Sequence, residues 1–171
     1  MIRVFAACLG LAVAACSPAG SVAQDAPNAR VQNLQVLDTS EAGMTLIDVS
    51  VTSSEAVHIF KTEVAATQAQ QARGMMFRTE MGDDEGMLFP SYQPQMRSFW
   101  MKNTPLALDI IFIGEDMRIM NIEAGVPYNT NSVYSAGLAI AVFEIRGGLS
   151  EELGIKPGDL VEFELPADAA L

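Results

Sequence analysis

Short runs in which apolar and polar residues alternate are the feature that most restricts how this chain can fold. In MTLIDVSV, Ile47, Val49 and Val51 fall on one side of an extended chain, and in LVEFEL Val161 and Phe163 do the same. This period of two is the side-chain period of a β-strand, and it indicates a sheet with one buried face. A β-branched run, VHIFKTEVA, predicts a further strand.

Turn and helix signals divide these strands. The run IFIGEDMRIMNI predicts a hairpin with its turn at 114–116, and KPGD predicts another turn. The best helix is TQAQQARG, because Thr67 and Gln70 have the spacing of a capping box and Gly74 can end the helix. A second short helical turn is predicted at 150–153. The pattern predicts one compact antiparallel β-sandwich or barrel with one or two short helices.

Length and charge limit the classes of function. The chain has 171 residues, half of them apolar, which suits a single domain with a proper core. Acidic residues outnumber basic ones 21 to 10, giving a formal net charge of -11. Such a charge opposes non-specific attraction to nucleic acid and to anionic membrane surfaces. We therefore expect no nucleic-acid partner.

The first residues have the pattern of an export signal. Arg3 precedes an apolar stretch from Val4 to Ala15, which is too short to span a bilayer as a helix. The stretch ends in VAAC and resembles a bacterial lipobox, so we predict a lipoprotein-type signal peptide at 1–15 and lipidation of Cys16. The expected location is the bacterial cell envelope, lipid-anchored and facing the periplasm. The alternative is ordinary cleavage after Ala23, giving a soluble periplasmic or secreted protein.

The cysteines and the single histidine limit the metal and thiol chemistry that the mature domain can have. Cys8 lies within the export signal and Cys16 at its end, so the mature domain has no thiol. His58 is the only histidine, and we therefore predict no metal site and no cofactor. The predicted segments after the signal are a flexible tether, an N-terminal β extension, the main β domain and a C-terminal tail, at 16–30, 31–56, 57–165 and 166–171.

Several short motifs resemble those of one family. VAATQAQQARGMMFR, EGMLF, FWMKNTPLALDIIFI and VFEIRGG followed by LGIKPGD occur in this order between residues 57 and 164. In this order they resemble the DUF192 family, also called UPF0127. The resemblance implies a compact, mainly β, jelly-roll-like domain that is often exported in bacteria. It implies no established activity.

Two carboxylates occur inside apolar strands. In the run from Leu106, alternation places Asp109 on the same face as Ala107, Ile111 and Ile113. Glu144 lies in a similar apolar run, LAIAVFEIRGG. A buried carboxylate without a partner costs several kcal/mol or takes up a proton, so each is expected to meet a cation or backbone donors.

Four basic side chains occur close together in the motifs, namely Arg73, Arg78, Arg97 and Lys102. One interpretation pairs two of them with Asp109 and Glu144 as internal ion pairs. The other is a pocket that holds a small polar or anionic ligand. Its predicted residues combine cations, an amide, a flat apolar wall formed by Trp100 on the same strand face as Lys102, and the two acids: Arg73, Arg78, Trp100, Lys102, Asn103, Asp109 and Glu144.

The predicted function is an exported, non-catalytic module that binds such a ligand or an envelope protein. Two alternatives stay open. In a hydrolase, Asp109 and Glu144 would act as a general acid and base, as carboxylate pairs do in glycoside cleavage. In a copper(I) protein, thioethers would be the ligands. The methionines available for this are numerous: Met75, Met76, Met81, Met87, Met96, Met101, Met117 and Met120.

Overall fold

The computed structural model describes residues 38–167. These residues form nine strands and two short helices. In chain order they are β1 (Leu46–Thr52), β2 (Val57–Val64), α1 (Gln68–Arg73), β3 (Glu85–Gln95), β4 (Ser98–Phe99), β5 (Leu108–Gly114), β6 (Ile119–Gly125), β7 (Val133–Tyr134), β8 (Ala139–Arg146), α2 (Leu149–Glu152) and β9 (Leu160–Phe163). The prediction of a mainly β domain with short helices is confirmed.

Most strands belong to one large sheet. Seven strands follow the order β6-β5-β8-β3-β2-β1-β9, and β4 and β7 form a small separate sheet. Every pair in the large sheet is antiparallel except β2 and β3, which run parallel. The sheet predicted as antiparallel is therefore mixed, with one parallel pair among antiparallel ones. A parallel pair needs a long crossover, and α1 and the turns after it provide one.

The large sheet does not close into a barrel. Its edge strands β6 and β9 approach each other at one end, where Arg118 forms a single bridge with Leu160. Three backbone hydrogen bonds join the same region: Ile119 donates to Asp159, Val161 donates to Met117, and Gly158 donates to Ile119. The architecture is sandwich-like, so the sandwich alternative is the correct one.

The local signals of helix α1 act as predicted. The Thr67 side chain accepts a hydrogen bond from the Gln70 backbone, and the Gln70 side chain accepts one from the Thr67 backbone, which completes a capping box. Gly74 follows the helix with a φ of 47°. An added Cβ at Gly74 would also lie 3.3 Å from the Phe89 ring. The helix therefore ends where its glycine permits both the turn and close packing.

The central strands bury both faces, which produces two apolar cores. In β5, Ile111 and Ile113 belong to the first core, which also takes in residues of β1, β2, β8 and β9. Leu108, Ile110 and Phe112 point to the second core. The second core is covered by the segment after α1 and by the turn after β4, through residues such as Met75, Phe99 and Met101. The candidate site lies in this cover.

The N-terminal predictions fall outside the described part of the chain. The signal peptide at 1–15, the tether at 16–30 and lipidation of Cys16 all precede residue 38. Among the helices of residues 38–167, none is long and apolar enough to cross a membrane. The strand predicted within 31–56 is β1, which pairs with both β2 and β9 and is therefore an integral part of the sheet.

Candidate functional site

A small cavity of about 40 Å³ opens beside the second core. The end of α1 and the turn after it form one side, and β4 with the turn after it forms the other. We call this the Glu144 cavity. Its lining is Gln71, Ala72, Arg73, Gly74, Met75, Met76, Phe89, Phe99, Trp100, Met101, Thr104, Leu108 and Glu144. Three of the seven predicted site residues, Arg73, Trp100 and Glu144, therefore come together here.

Glu144 is the buried acid of this cavity. Its side chain is 4% exposed, and its strand neighbours Met87 and Ile110 are apolar members of the second core. Within residues 38–167, its carboxyl group forms neither an ion pair nor a hydrogen bond with another side chain or the backbone. Burial raises the pKa of Glu144 to about 8, because the charged form loses its hydration. Glu144 is therefore mainly a neutral proton donor at pH 7.

Asp109 lies on the other face of the sheet. It pairs across strands with Ile145, whereas its neighbour Ile110 pairs with Glu144. The Asp109 carboxylate accepts hydrogen bonds from the backbone amides of Gly148 at 2.9 Å and Ser150 at 2.8 Å. These amides belong to the start of helix α2. Burial of Asp109 was predicted correctly, and its partners are backbone donors.

The ion-pair interpretation of these two acids is therefore wrong. In the described chain neither Asp109 nor Glu144 meets a lysine or arginine, because one acid caps a helix and the other is set among apolar side chains. The hydrolase alternative fails for a related reason. Side chains on opposite faces of one sheet cannot act together on a substrate, so Asp109 and Glu144 are not a catalytic pair.

Arg78 has a different role from the one predicted. Its guanidinium lies 2.5 Å from the carboxylate of Glu63, a buried residue of β2. This ion pair lines an open cleft on the other side of the Met75 and Met76 turn. Arg78 is therefore placed beside the Glu144 cavity but does not line it. Its carboxylate partner already compensates its charge.

Lys102 and Trp100 are close together, although not on a strand. Strand β4 ends at Phe99, so the prediction that the two residues share a strand face is wrong. They lie in the turn that follows, where the Lys102 ammonium is 5.1 Å from the centre of the Trp100 ring. This distance suits a cation–π contact, and it places a positive charge at the tryptophan wall of the cavity.

Arg97 is the residue that the candidate list missed. Its guanidinium donates to the Ser91 hydroxyl and, at 3.3 Å, to the Gln71 side-chain oxygen, and it lies 5.4 Å from the centre of the Phe99 ring. Gln71 and Phe99 both line the Glu144 cavity. Burial lowers the pKa of Arg97. Sequence placed Arg97 among the clustered cations, but only the fold shows that its partners are all neutral.

The basic side chains separate into two groups. Lys61, Arg78, Arg146 and Lys156 each form an ion pair with a carboxylate. In the described range the others form none, and they are Arg73, Arg97, Lys102 and Arg118. Arg118 instead donates to the carbonyl of Gly158, far along the chain. The other three cations all line or adjoin the Glu144 cavity.

Strained backbone is also concentrated near this cavity. Phe77, Asn103 and Tyr128 have φ values of 67°, 56° and 60°, in the region that disfavours side chains with a Cβ. Phe77 donates its backbone N–H to the carbonyl of Asn103, and Tyr128 donates to that of Thr104. The segments at Phe77 and Tyr128 are thus both tied to the turn at residues 103–104. Such strain persists where surrounding structure enforces it, and it often accompanies functional sites.

The comparisons with known proteins agree with this fold. Residues 49–163 match the DUF192 family, described as Uncharacterized ACR. The chain belongs to the DUF192 family. A protein of unknown function from Novosphingobium aromaticivorans is 48% identical, with a TM-score of 0.72, over 75% of this chain and 94% of its own. A Sinorhizobium meliloti protein suggested to be a transcription regulator is 33% identical, with a TM-score of 0.68, over 70% of this chain and 95% of its own.

No curated protein matches the chain. The family predicted from the short motifs is confirmed, and the match begins at residue 49, earlier than the predicted 57. The earlier start agrees with the central position of β1 in the sheet. Every residue that lines the Glu144 cavity falls inside the matched range.

Several methionines of this DUF192 protein have packing partners, whereas Met96 is exposed. Met75, Met87 and Met101 are buried in the second core. The Met76 sulfur lies 3.9 Å from the Asn103 side-chain amide, and the Met101 sulfur lies against Gly125. Among the described residues no group of three or more His, Cys, Asp or Glu is placed to hold a metal ion. The copper(I) alternative stays a prediction that no contact here favours.

Proposed function

We propose that this protein is an exported module that binds a small anionic ligand in the Glu144 cavity without chemical transformation. The observation that carries the proposal is the group of three cations at the cavity, Arg73, Arg97 and Lys102, none of which has a carboxylate partner in the described chain. In a protein of net charge -11, such a group supports a site for an anion from outside the chain.

Arg97 supports this proposal most directly. A half-buried guanidinium has lost part of its hydration, and its neighbours Ser91, Gln71 and Phe99 supply dipoles and a ring face but no negative charge. A desolvated cation without a counter-ion is unfavourable, so an anion that enters beside it gains more than it would at the open surface. The guanidinium does not line the cavity itself and reaches it through its hydrogen bond to Gln71.

Glu144 does not oppose an anion. Because burial raises the pKa of Glu144 to about 8, the neutral form prevails at pH 7 and offers an O–H donor. Asp109, which would be the second carboxylate of a hydrolase, is on the other face of the sheet. A single proton donor among cations supports binding rather than acid–base catalysis.

The location remains part of the proposal. Its support is the sequence from Arg3 to Cys16, which has the pattern of a lipoprotein signal. A soluble periplasmic or secreted form is the alternative. An envelope protein as partner is also still a prediction.

The test is a thermal-shift and calorimetric screen of the purified protein against carboxylates, phosphate, sulfate, neutral sugars and amines. Arg97→Gln and Arg73→Gln are compared with Arg118→Gln, the matched control, because Arg118 also lacks an ion pair and lies elsewhere. A ligand at a hundred times its Kd stabilises the fold by about 2.7 kcal/mol. We expect an anion to stabilise wild type and the control, with at least tenfold weaker binding to Arg97→Gln. Stabilisation only by amines or neutral sugars would contradict the proposal.

A further inference from the structure

Resting on the proposed function, we infer that the ligand is a small carboxylate with an apolar body, whose carboxylate accepts a hydrogen bond from the Glu144 carboxyl. The family match and the similar structures assign no ligand to this site. Three features of the Glu144 cavity support this class of ligand, namely its size, the chemistry of its walls and the number of donors that reach it.

The cavity is small. A water molecule needs about 10 to 15 Å³ of such space, so a volume of about 40 Å³ holds about three waters or one group of similar size. A carboxylate with the first carbon of its body has this size. A complete sugar ring is larger, so any bulkier ligand would place only its terminal group inside.

The walls of the cavity are mainly apolar. Met75, Phe89, Phe99, Met101 and Leu108 are members of the second core or pack against it, and each lines the cavity. Apolar walls favour a ligand body made of carbon and hydrogen and disfavour hydroxyl groups that would enter without partners. The exposed ring of Trp100 extends this apolar surface to the opening.

The donors that reach the cavity are few. β3 and β5 present Met87, Phe89, Leu108 and Ile110 around Glu144, and none of these has a charge or a side-chain donor. From the other elements, Arg73 is the only further charged residue of the lining. Gln71 and Thr104 also line it, but their side chains already donate to the carbonyls of Pro90 and Lys102. The indole N–H of Trp100 is the one further side-chain donor of the lining. Arg97 contacts the lining residue Gln71, and the Lys102 ammonium lies 5.1 Å from the centre of the Trp100 ring.

This donor count favours a carboxylate over phosphate or sulfate. A carboxylate has two oxygens, one of which can accept from Glu144 while the other faces the cations. Phosphate and sulfate present more anionic oxygens, and each one left without a donor in an apolar cavity loses hydration free energy. The pairing of a neutral carboxyl with a carboxylate also shares one proton between two groups, which gives a short charge-assisted hydrogen bond.

The same pairing makes binding depend on pH. A carboxylate binds the neutral form of Glu144 and is repelled once this residue ionises. Because burial raises the pKa of Glu144 to about 8, the affinity is expected to fall about tenfold for each pH unit above that value.

The experiment is isothermal titration of the purified protein with benzoate, butyrate, benzamide and inorganic phosphate at pH 7 and pH 9. For wild type we expect benzoate and butyrate to bind, phosphate and uncharged benzamide to bind at least tenfold more weakly, and benzoate affinity to fall about tenfold between the two pH values. Glu144→Gln keeps a donor that does not titrate, so the affinities of this variant for benzoate at pH 7 and at pH 9 should agree within about twofold. Glu144→Leu, which lacks the donor, should bind benzoate at least tenfold more weakly at pH 7.

The outcomes separate the two proposals. If phosphate binds more tightly than the carboxylates and Arg97→Gln abolishes that binding, the proposed anion site stands and the carboxylate inference is wrong. The inference is also wrong if wild type and Glu144→Gln show the same pH dependence. If none of the anions binds at either pH, the proposed function itself fails. Both Glu144 variants remove a buried ionisable group, so both are expected to fold.

Discussion

At the scale of single residues, the two buried acids show two ways of placing a carboxyl group in an apolar strand. Asp109 receives two backbone N–H donors, whereas Glu144 receives no partner and keeps its proton instead. The two strands, β5 and β8, have the same kind of sequence, in which one acid lies among aliphatic residues. Alternation predicted that both side chains are buried. It cannot predict the partners, because the donors to Asp109 come from residues 148 and 150.

Glu144 is expected to make stability depend on pH. An unfolded glutamate has a pKa of about 4.3, whereas in the fold burial raises the pKa of Glu144 to about 8. Between these values the native state binds a proton that the unfolded state has released. The free energy of unfolding therefore falls as pH rises through this window, and the unfolding constant rises about tenfold per unit. Above about pH 8 this contribution is constant.

The measurement is urea unfolding of wild type and Glu144→Gln from pH 5 to pH 9. Glutamine does not titrate, so the difference in unfolding free energy between variant and wild type should grow in the variant's favour up to about pH 8. Glu123→Gln, at a less buried acid of β6, is the control and should keep the wild-type slope. A constant difference between Glu144→Gln and wild type across the range would mean that Glu144 is ionised in the fold.

At the scale of elements, sequence signals predicted the features that depend on residues close together in the chain. The capping box of α1, its end at Gly74 and the hairpin of β5 and β6 all depend on residues close in sequence, and all three were predicted. The parallel pairing of β2 and β3 was not predicted, because it depends on how the connection through α1 positions β3 beside β2. Trp100 also continues the sequence pattern of β4, yet hydrogen bonds such as Met101 to Asn129 turn the chain there.

Helix α2 depends on an acid from another element. Its N-cap is Gly148, which has no side chain to accept from the first turn, and Asp109 of β5 supplies that acceptor. We expect Asp109→Ala to lower the free energy of unfolding by on the order of 3 kcal/mol, because the N–H groups of Gly148 and of buried Ser150 both lose a charged acceptor. Asp109→Asn, which keeps one acceptor oxygen, should lose less.

Chemical denaturation measures these losses, with Asp83→Ala as the control. Asp83 is an exposed acid that pairs with Arg146 at 2.5 Å, and such surface pairs contribute about 1 kcal/mol or less. Amide hydrogen exchange should also show faster exchange at Gly148 and Ser150 in Asp109→Ala. Equal losses for Asp109→Ala and Asp83→Ala would mean that the cap adds nothing beyond a surface contact.

At the scale of the whole molecule, charge is unevenly distributed. The chain has a net charge of -11, yet three basic side chains without carboxylate partners in residues 38–167 line or adjoin one cavity. Composition predicts the first of these facts and not the second. The family motifs located the cations, and the fold then separated Arg78, which is paired, from Arg97, which is not. The clustering of these cations in the sequence was thus predictable, while their individual partners required the three-dimensional structure.

The lipid anchor is a prediction about the whole protein, since it decides where the cavity meets its ligand. If VAAC is a lipobox, Cys16 becomes the first residue of the mature protein and carries the lipid. The full chain, expressed in a bacterium with labelled fatty acid, should then incorporate the label and sediment with membranes. Cys16→Ser should lose both properties, whereas Cys8→Ser, within the removed signal, should keep them. A soluble, unlabelled wild-type product that begins at Gln24 would show that cleavage follows Ala23 instead.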